Sequence, residues 1–499
     1  MSTTTPTPVP GTASPPVMIA VDIGASSGRV IIGRLPAASG QAAGTLEMEV
    51  VHRFPNGVTE IDGSLHWDAE AIFAQVQAGL EAAGAVVREN GERVVSIGID
   101  TWAVDYGLLD AEGELIAAPH AYRDARTDAV IERVHATVSP ERLYAIGGMQ
   151  FLPFNTVYQL AAEVDLAGKR ALMIPDLLAY WLTGVERTEE TNASTTALFD
   201  ARAVAWSPEV FDAIDAPQLF AELIAPGESY GRLLPEVAAA TGLDPAVEVV
   251  AVGSHDTASA VAAVPADDED FAYVSSGTWS LVGLELDGPV LSQASRAANF
   301  TNERGVDGTI RYLQNVGGLW LLQESMRDWA GQGRGRELTH LLAGAAALPA
   351  GPVVDANSSE FIAPGGMAGR IRAAVEAAGG SLPAAPAEPG SGVDADQAAT
   401  VRCIMDSLAA GYAASLRTAA ELAGKRPAVV HIVGGGSQNS LLCQLTANAT
   451  GLPVIAGPVE ATAQGNLLVQ ARAAGLIEGG LTQLRAAIAV DPVRYEPQQ

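Results

Sequence analysis

Apolar residues along this chain gather in short runs that alternate with longer amphipathic stretches, as strands interleaved with helices would. From Met18 to Leu35 an apolar run ends at Asp22, a Gly/Ser turn follows, and Val30-Ile-Ile32 resumes the apolar pattern, which predicts a β-hairpin. Around Trp67–Val87 the period changes to that of a helix, with Ile72, Val76 and Leu80 on one face. Val94–Asp100 is short, rich in β-branched residues and ends in an acid, so it reads as a buried strand. Ala121–His135, entered through Tyr122-Arg-Asp-Ala-Arg126, reads as helical. The opening pattern returns at Phe271–Glu285: apolar residues, a Ser-Ser-Gly-Thr turn, then Trp279-Ser-Leu-Val282. The two hairpins lie about 250 residues apart and each opens one half of the chain, a weak internal repeat. Further on, a helix is predicted through Val401, Ile404, Leu408, Tyr412 and Leu416, leading to a strand at Ala428–Val433.

Strands alternating with helices in both halves predict α/β architecture with mixed sheets. At 499 residues the chain exceeds what one core holds, so more than one domain is expected. The Pro/Asp-rich link Ala262–Asp268 is the expected boundary, dividing the chain at 18–264 and 265–499. Residues 331–400, with Leu382-Pro-Ala-Ala-Pro-Ala-Glu-Pro-Gly390, are expected to form an exposed loop or insert. Residues 1–17 are Thr/Pro-rich, without a basic start or an apolar stretch, and read as a disordered tail rather than a signal peptide. No run approaches the ~18 apolar residues that cross a bilayer, and a cytoplasmic location is expected.

Charge narrows the partners. Lys and Arg number 29 against 58 Asp and Glu, a net charge of −29, which argues against nucleic acid or an anionic membrane surface. Cys403 and Cys443 are the only cysteines and show no metal-type spacing; the histidines form no zinc cluster either. The only lysines, Lys169 and Lys425, each sit in Gly-Lys-Arg, so neither a P-loop nor the protein-kinase lysine pattern is present. A nucleotide here has to be held by backbone amides, hydroxyls, arginine and metal.

Candidate chemistry is concentrated in three glycine-rich turns and one acid. In Asp22-Ile-Gly-Ala-Ser-Ser-Gly-Arg29, Gly24 and Gly28 let backbone amides approach anionic oxygens, Ser26 and Ser27 add donors and Arg29 adds charge. Asp22, at a strand end, suits Mg²⁺ held through water. Ser275-Ser-Gly-Thr-Trp-Ser280 echoes that turn, and Gly434-Gly-Gly-Ser-Gln-Asn439 joins a strand to a helix, where amides suit an anion or adenosine. Asp256, in Ser254-His-Asp-Thr257 directly after an apolar run, is the candidate general base for a substrate hydroxyl, with Asp100 and Asp105 as rivals. Three phosphate-type loops and one base point to an ATP-dependent sugar kinase.

The chain resembles the FGGY carbohydrate kinases, and among them the L-rhamnulose kinases. The matching segments include Ala20–Arg29, Gly98–Trp102, Ala121–Arg126, Gln150–Asn155, Met173–Asp176, Thr191–Thr195, Ser254–Ala260, Ser275–Leu281, Asn299–Glu303, Gly318–Gln323 and His431–Gly436. They run in order along nearly the whole chain, the tail and the 331–400 stretch excepted. The resemblance implies two domains of the actin/ribonuclease-H type with an ATP cleft between them. It implies Mg²⁺- and ATP-dependent phosphorylation of a ketose, L-rhamnulose at O1, by a monomer or small homo-oligomer. On that model Asp256 is the base, Ala25, Ser26, Ser27, Gly28, Arg29 and Thr278 hold phosphates, and Gln323 and Gly435 line the nucleotide. His255, Thr257 and Asn315 touch the sugar. Ala103 stands where the family has glycine in Asp-Thr-Trp-Gly, and its methyl narrows the sugar side; Trp102, Phe151 and Phe154 are available as an apolar wall. The alternatives are an L-fuculose or xylulose kinase, or an actin-like ATPase or sugar sensor without phosphotransfer.

Overall fold

Both predicted hairpins form, and each seeds a large mixed sheet. The computed structural model describes residues 14–36, 44–386, 392–488 and 492–498. In the first half, β1 (Pro16–Ile23) pairs antiparallel with β2 (Ser27–Arg34), which pairs with β3 (Glu47–Pro55). On its other side β1 runs parallel to β4 (Arg93–Thr101); β5 (Ser229–Arg232) and β6 (Glu248–Val250) complete the order β5-β6-β4-β1-β2-β3. In the second half, β7 (Phe271–Ser276) pairs antiparallel with β8 (Trp279–Leu286). With β9 (Thr301–Arg304), β10 (Ile310–Gly317), β11 (Val429–Val433), β12 (Val454–Ala456) and β13 (Val493–Tyr495) the order is β9-β10-β8-β7-β11-β12-β13. The expected repeat is thus a repeat of structure: in both sheets the first strand pairs antiparallel with its hairpin partner and parallel with a later strand.

Every residue of β1 from Val17 to Ile23 is buried, which fits a central strand covered on both faces. Helix α1 (Ala69–Glu89) covers one face through Ile72, Val76 and Leu80; the Asp68 carboxylate accepts from the Ala71 amide at its start. Near the predicted base, α2 (Asp256–Ala262) is short. The second sheet is followed by α3 (Trp320–Gly331), α4 (Leu338–Ala346), α5 (Met367–Ala377) and the long α6 (Ala395–Ala423), which opens with an Asp394/Gln397 capping box. After β11 comes α7 (Ser440–Thr450), and after β12 comes α8 (Ala461–Ala473).

Helix α8 ties the halves together. Although it belongs to the second half by sequence, it packs on β1, β4 and α2 of the first. The Gln470 amide group donates to the Ile19 carbonyl (3.0 Å) and accepts from the Ser96 hydroxyl (2.8 Å), while Asn466 donates to Asp100 (2.6 Å). Where α8 crosses α2, a Cβ on Gly465 would lie 1.8 Å from the Ser259 carbonyl oxygen, so the two backbones meet without an intervening side chain.

Two expectations need correction. Ala121–His135 is not one helix: a 3₁₀ turn at Ala125–Thr127 precedes a helix at Ile131–Thr137. Side-chain carboxylates intervene there, the Tyr122 amide donating to Asp105 and the Arg126 amide to Asp124. Residues 331–400 are not an exposed loop either. They hold α4, α5 and the start of α6, and Leu341, Phe361, Met367, Ile371 and Val375 are buried in the core of the second half. The helical spacing of Met367, Ile371 and Val375 is thinned by the alanines and glycines around it. Residues 387–390 of the Pro-rich stretch lie outside the described residues, as do residues 1–13 of the expected tail; Pro16 and Val17 already belong to β1. Among the described residues no helix is long and apolar enough to cross a membrane.

Gly465→Ala should destabilise the protein by about 3 kcal/mol or more, the upper end for overpacking, because the obstacle is backbone rather than a movable side chain. Urea and thermal unfolding of the variant beside the wild type measure this directly.

Candidate active site

A cavity of about 340 Å³ opens between the two sheets, and both hairpin turns line it. Each turn is closed by its own backbone: the Gly24 amide donates to Ser27 (2.9 Å) and the Gly277 amide to Trp279 (2.9 Å). Ala25, Ser26, Ser27 and Arg29 reach the cavity from the first turn and Thr278 from the second, with Gly435 beside them. Gly435 lies in a 3₁₀ turn before α7, whose first turn is capped by Asn439 accepting from the Leu442 amide. Two of the residues expected to hold the nucleotide stay outside the cavity lining. Gly28 backs onto Phe54, whose ring would sit 2.2 Å from an added Cβ, and Gln323 is exposed on α3.

Carboxylates gather around and beneath the first turn. Asp22 near the end of β1 and Asp100 near the end of β4 are register partners, so the parallel pairing sets them side by side. Arg29 bonds Asp22 through Nε (3.0 Å) and a terminal nitrogen (2.8 Å), and its other terminal nitrogen pairs with Glu460, just before α8. Burial raises the Asp22 pKa; Arg29 opposes that, and Asp256 and Glu460 reinforce it. Asp100 is pushed up well beyond the usual carboxylate range, first by burial and then by Asp22, with the Asn466 hydrogen bond opposing. Its Oδ1 is buried without a hydrogen-bond partner.

Asp256 does not follow β6 directly: Ala251–His255 intervene, and Asp256 is the first residue of α2. Its side chain is 34% exposed, whereas the rivals Asp100 and Asp105 are fully buried and engaged elsewhere. Thr257 donates to Asp256 (3.1 Å), and His255 Nε2 lies 3.4 Å from the same carboxylate oxygen. On its other side His255 Nδ1 lies 3.2 Å from Glu303 and 3.1 Å from Arg311, which itself pairs with Glu303 at 2.9 Å. Glu303 and Arg311 stand on β9 and β10, so the neighbour of the candidate base is anchored on the other half. Burial alone would raise Glu303, but Arg311 and His255 outweigh it and its pKa is lowered. The preceding loop is pinned by the buried Glu189, which accepts from the Ser254 amide (3.1 Å) and hydroxyl (2.7 Å).

The remaining wall comes from Trp102, Ala103, Val104, Tyr122, Gln150 and Phe154, with Asn315 from β10. Gln150 accepts from both the amide (2.9 Å) and the side chain (3.0 Å) of Asn315, bridging the halves. Behind this wall Asp105 accepts from the Trp67 and Trp102 indoles (2.7 and 3.0 Å), the Tyr122 amide (3.1 Å) and Gln159 (2.9 Å). Burial still raises its pKa to about 6 against those bonds. Phe151, expected as a candidate for the wall, is 46% exposed and does not line the cavity. Sequence reasoning did not single out Glu460, Glu303, Arg311 or Gln150 as site residues. They lie far from Asp256 in sequence, and no local spacing signals their arrival.

Among the described residues no group of three or more His, Cys, Asp or Glu is placed to hold a metal ion by itself. Asp22, with the partnerless Asp100 oxygen beside it, fits a cation that keeps most of its water and takes one carboxylate.

Comparison with known proteins adds the relationship. The model of the FGGY family of carbohydrate kinases, N-terminal domain, matches residues 17–263, and that of the C-terminal domain matches 272–474. A rhamnulokinase of Bacteroides thetaiotaomicron is 40% identical over 463 residues, covering 91% of this chain and 90% of that protein. One from Halalkalibacterium halodurans is 38% identical, covering 96% and 98%. Among solved structures, gluconate kinase from Lactobacillus acidophilus superposes with a TM-score of 0.75 at 15% identity, covering 97% of this chain and 94% of that one. Plasmodium falciparum glycerol kinase with ADP gives 0.73 at 14%, covering 97% and 94%; at such identities these two speak for the fold alone.

Asp100 makes stability depend on pH. Its folded pKa lies above the ordinary 3.8, so as pH rises through that interval the unfolded chain releases a proton that the folded one keeps, and stability falls. Asp100→Asn should therefore gain stability relative to wild type as pH rises above about 4. The difference in melting temperature, read at pH 4 and pH 8 without nucleotide, should be larger at pH 8.

Proposed function

The chain belongs to the FGGY family of carbohydrate kinases, and on that footing we propose that it transfers the γ-phosphoryl group of ATP to O1 of L-rhamnulose. What carries the choice of sugar is the identity of about 40% to rhamnulokinases, sustained over nine-tenths of both chains. The geometry supplies the chemistry. Phosphoryl transfer needs an aligned hydroxyl, neutralised charge and little else. Asp256, half-buried at the start of α2, takes the proton as O1 attacks; the O1–phosphorus bond forms, the bond to the bridging oxygen of ADP breaks, and ADP leaves.

The turn residues Ala25, Ser26 and Ser27, facing Thr278, cradle the phosphates in this reading, and Gly435 lies on the adenosine side. Arg29 joins them by giving up Glu460 for a phosphate oxygen. Asp22 would hold a divalent cation, Mg²⁺ in this proposal, which would supply positive charge to the polyphosphate. His255, Thr257 and Asn315 meet the sugar hydroxyls, and Ala103 and its neighbours form the opposite wall. Gln323, exposed on α3, is left out of the assignment, and Gly28 is assigned only a packing role behind the turn. We place the division between the halves at 264/265, with α8 returning to the first half as the second connection. A cytoplasmic location accords with ATP as the donor.

ADP release coupled to a chromogenic assay over L-rhamnulose, L-fuculose, D-xylulose and L-ribulose tests the sugar: L-rhamnulose should give the highest kcat/KM. Asp256→Asn should lower kcat by roughly 10²–10⁴, the contribution of a positioned base, with the KM for ATP little changed. A folded variant with wild-type turnover would remove Asp256 from the role.

A further inference from the structure

Among the described residues, two valines adopt positive φ, Val204 (53°) and Val104 (69°). The left-handed region is costliest for a β-branched residue and far easier for glycine or asparagine. Val204 closes the turn between the short strands Phe199–Asp200 and Ala205–Trp206. Val104 lines the cavity. Its backbone is fixed from outside: its carbonyl accepts from the Thr156 hydroxyl (2.8 Å) and the Gln159 amide (3.2 Å), and the next residue is Asp105, whose carboxylate accepts four hydrogen bonds. Nothing in that arrangement calls for valine, since glycine would take the same backbone at lower cost. What valine adds is an isopropyl group, half-buried and packed on the apolar cluster that holds Trp102 and Tyr122.

Trp102 and Phe154, the aromatic candidates on this wall, have further commitments. The Trp102 indole donates to Asp105 and packs on Trp67 with ring centres 4.2 Å apart; Phe154 lies between Tyr122 (5.2 Å) and Trp279 (6.4 Å). L-Rhamnulose is a 6-deoxy ketose, with a methyl at C6 where L-fructose carries a hydroxymethyl group. Building on the L-rhamnulose assignment, we propose that Val104 is a specificity-determining residue whose isopropyl group receives the C6 methyl of the sugar. The strained backbone is then the cost of placing a branched apolar group at that point of the wall.

The test compares L-rhamnulose with L-fructose, which differ only at C6, by ADP release from wild type, Val104→Thr and Val104→Gly. Threonine keeps the branching and the backbone cost but exchanges a methyl for a hydroxyl; glycine relieves the backbone and removes the contact. The wild type should prefer L-rhamnulose, and the kcat/KM ratio should fall about tenfold or more in both variants. The change should appear mainly in the sugar KM, with the KM for ATP within about twofold. Val104→Gly should melt no lower than wild type, which separates this role from simple packing. An unchanged ratio in both variants, or a Val104→Gly protein that is less stable with its ratio intact, overturns the inference and leaves the sugar assignment standing. A wild type that phosphorylates neither ketose overturns both.

Discussion

Four carboxylates converge where the halves meet, and one guanidinium is set among them. Arg29 is paired with Asp22 and Glu460, while Asp100 and Asp256 press on the same point electrostatically. Negative charges buried together raise one another's pKa, and Asp22 and Asp100 are both raised. A polyphosphate adds further negative charge. In the proposed reaction a bound cation would offset that charge, and a phosphate would displace Glu460 from Arg29, a pairing of side chains that are both about a quarter exposed.

That arrangement requires the two halves to be held in register. The α2–α8 crossing does this at backbone distance, with Gly465 admitting the Ser259 carbonyl. Asn466, one residue on, carries the contact into the acid cluster by donating to Asp100. A second link runs behind the base, from His255 to the buried Glu303–Arg311 pair. Removing one member of such a pair strands the other charge away from water, so the setting of Asp256 depends on residues of the opposite sheet. Both links converge within α2 and the strand end beside it, which is why so short a helix can carry the candidate base.

Local order was legible in the sequence wherever one element suffices. The hairpins around Gly24 and Gly277, the α1 stripe of Ile72, Val76 and Leu80, and the α6 stripe from Val401 to Leu416 all rest on periodicity within one segment. The reading failed where side chains take over the backbone's hydrogen bonds, as Asp105 and Asp124 do around Tyr122–Arg126. It failed again where alanine and glycine dilute a buried stripe, as in α5. Turn residues near Asp22 could be picked out because glycines and hydroxyls cluster locally. Glu460 and Glu303 could not, because what brings them to Arg29 and His255 is the meeting of two sheets.

The two sides of the cavity are built on different principles. The wall from Trp102 to Asp105 is determined within the first half: Asp105 fixes it with four donors, all from residues 67–159, and Thr156 and Gln159 fix the strained carbonyl of Val104. Asp256 instead sits in a setting completed by Glu303 and Arg311, and the two Gly/Ser turns that line the cavity come one from each half. In the proposed reaction the sugar wall is therefore set by one half alone, whereas the alignment of Asp256 with the two turns is set by both. For a kinase whose acceptor competes with water, that division ties the proposed reactive geometry, and not the proposed acceptor wall, to both halves at once.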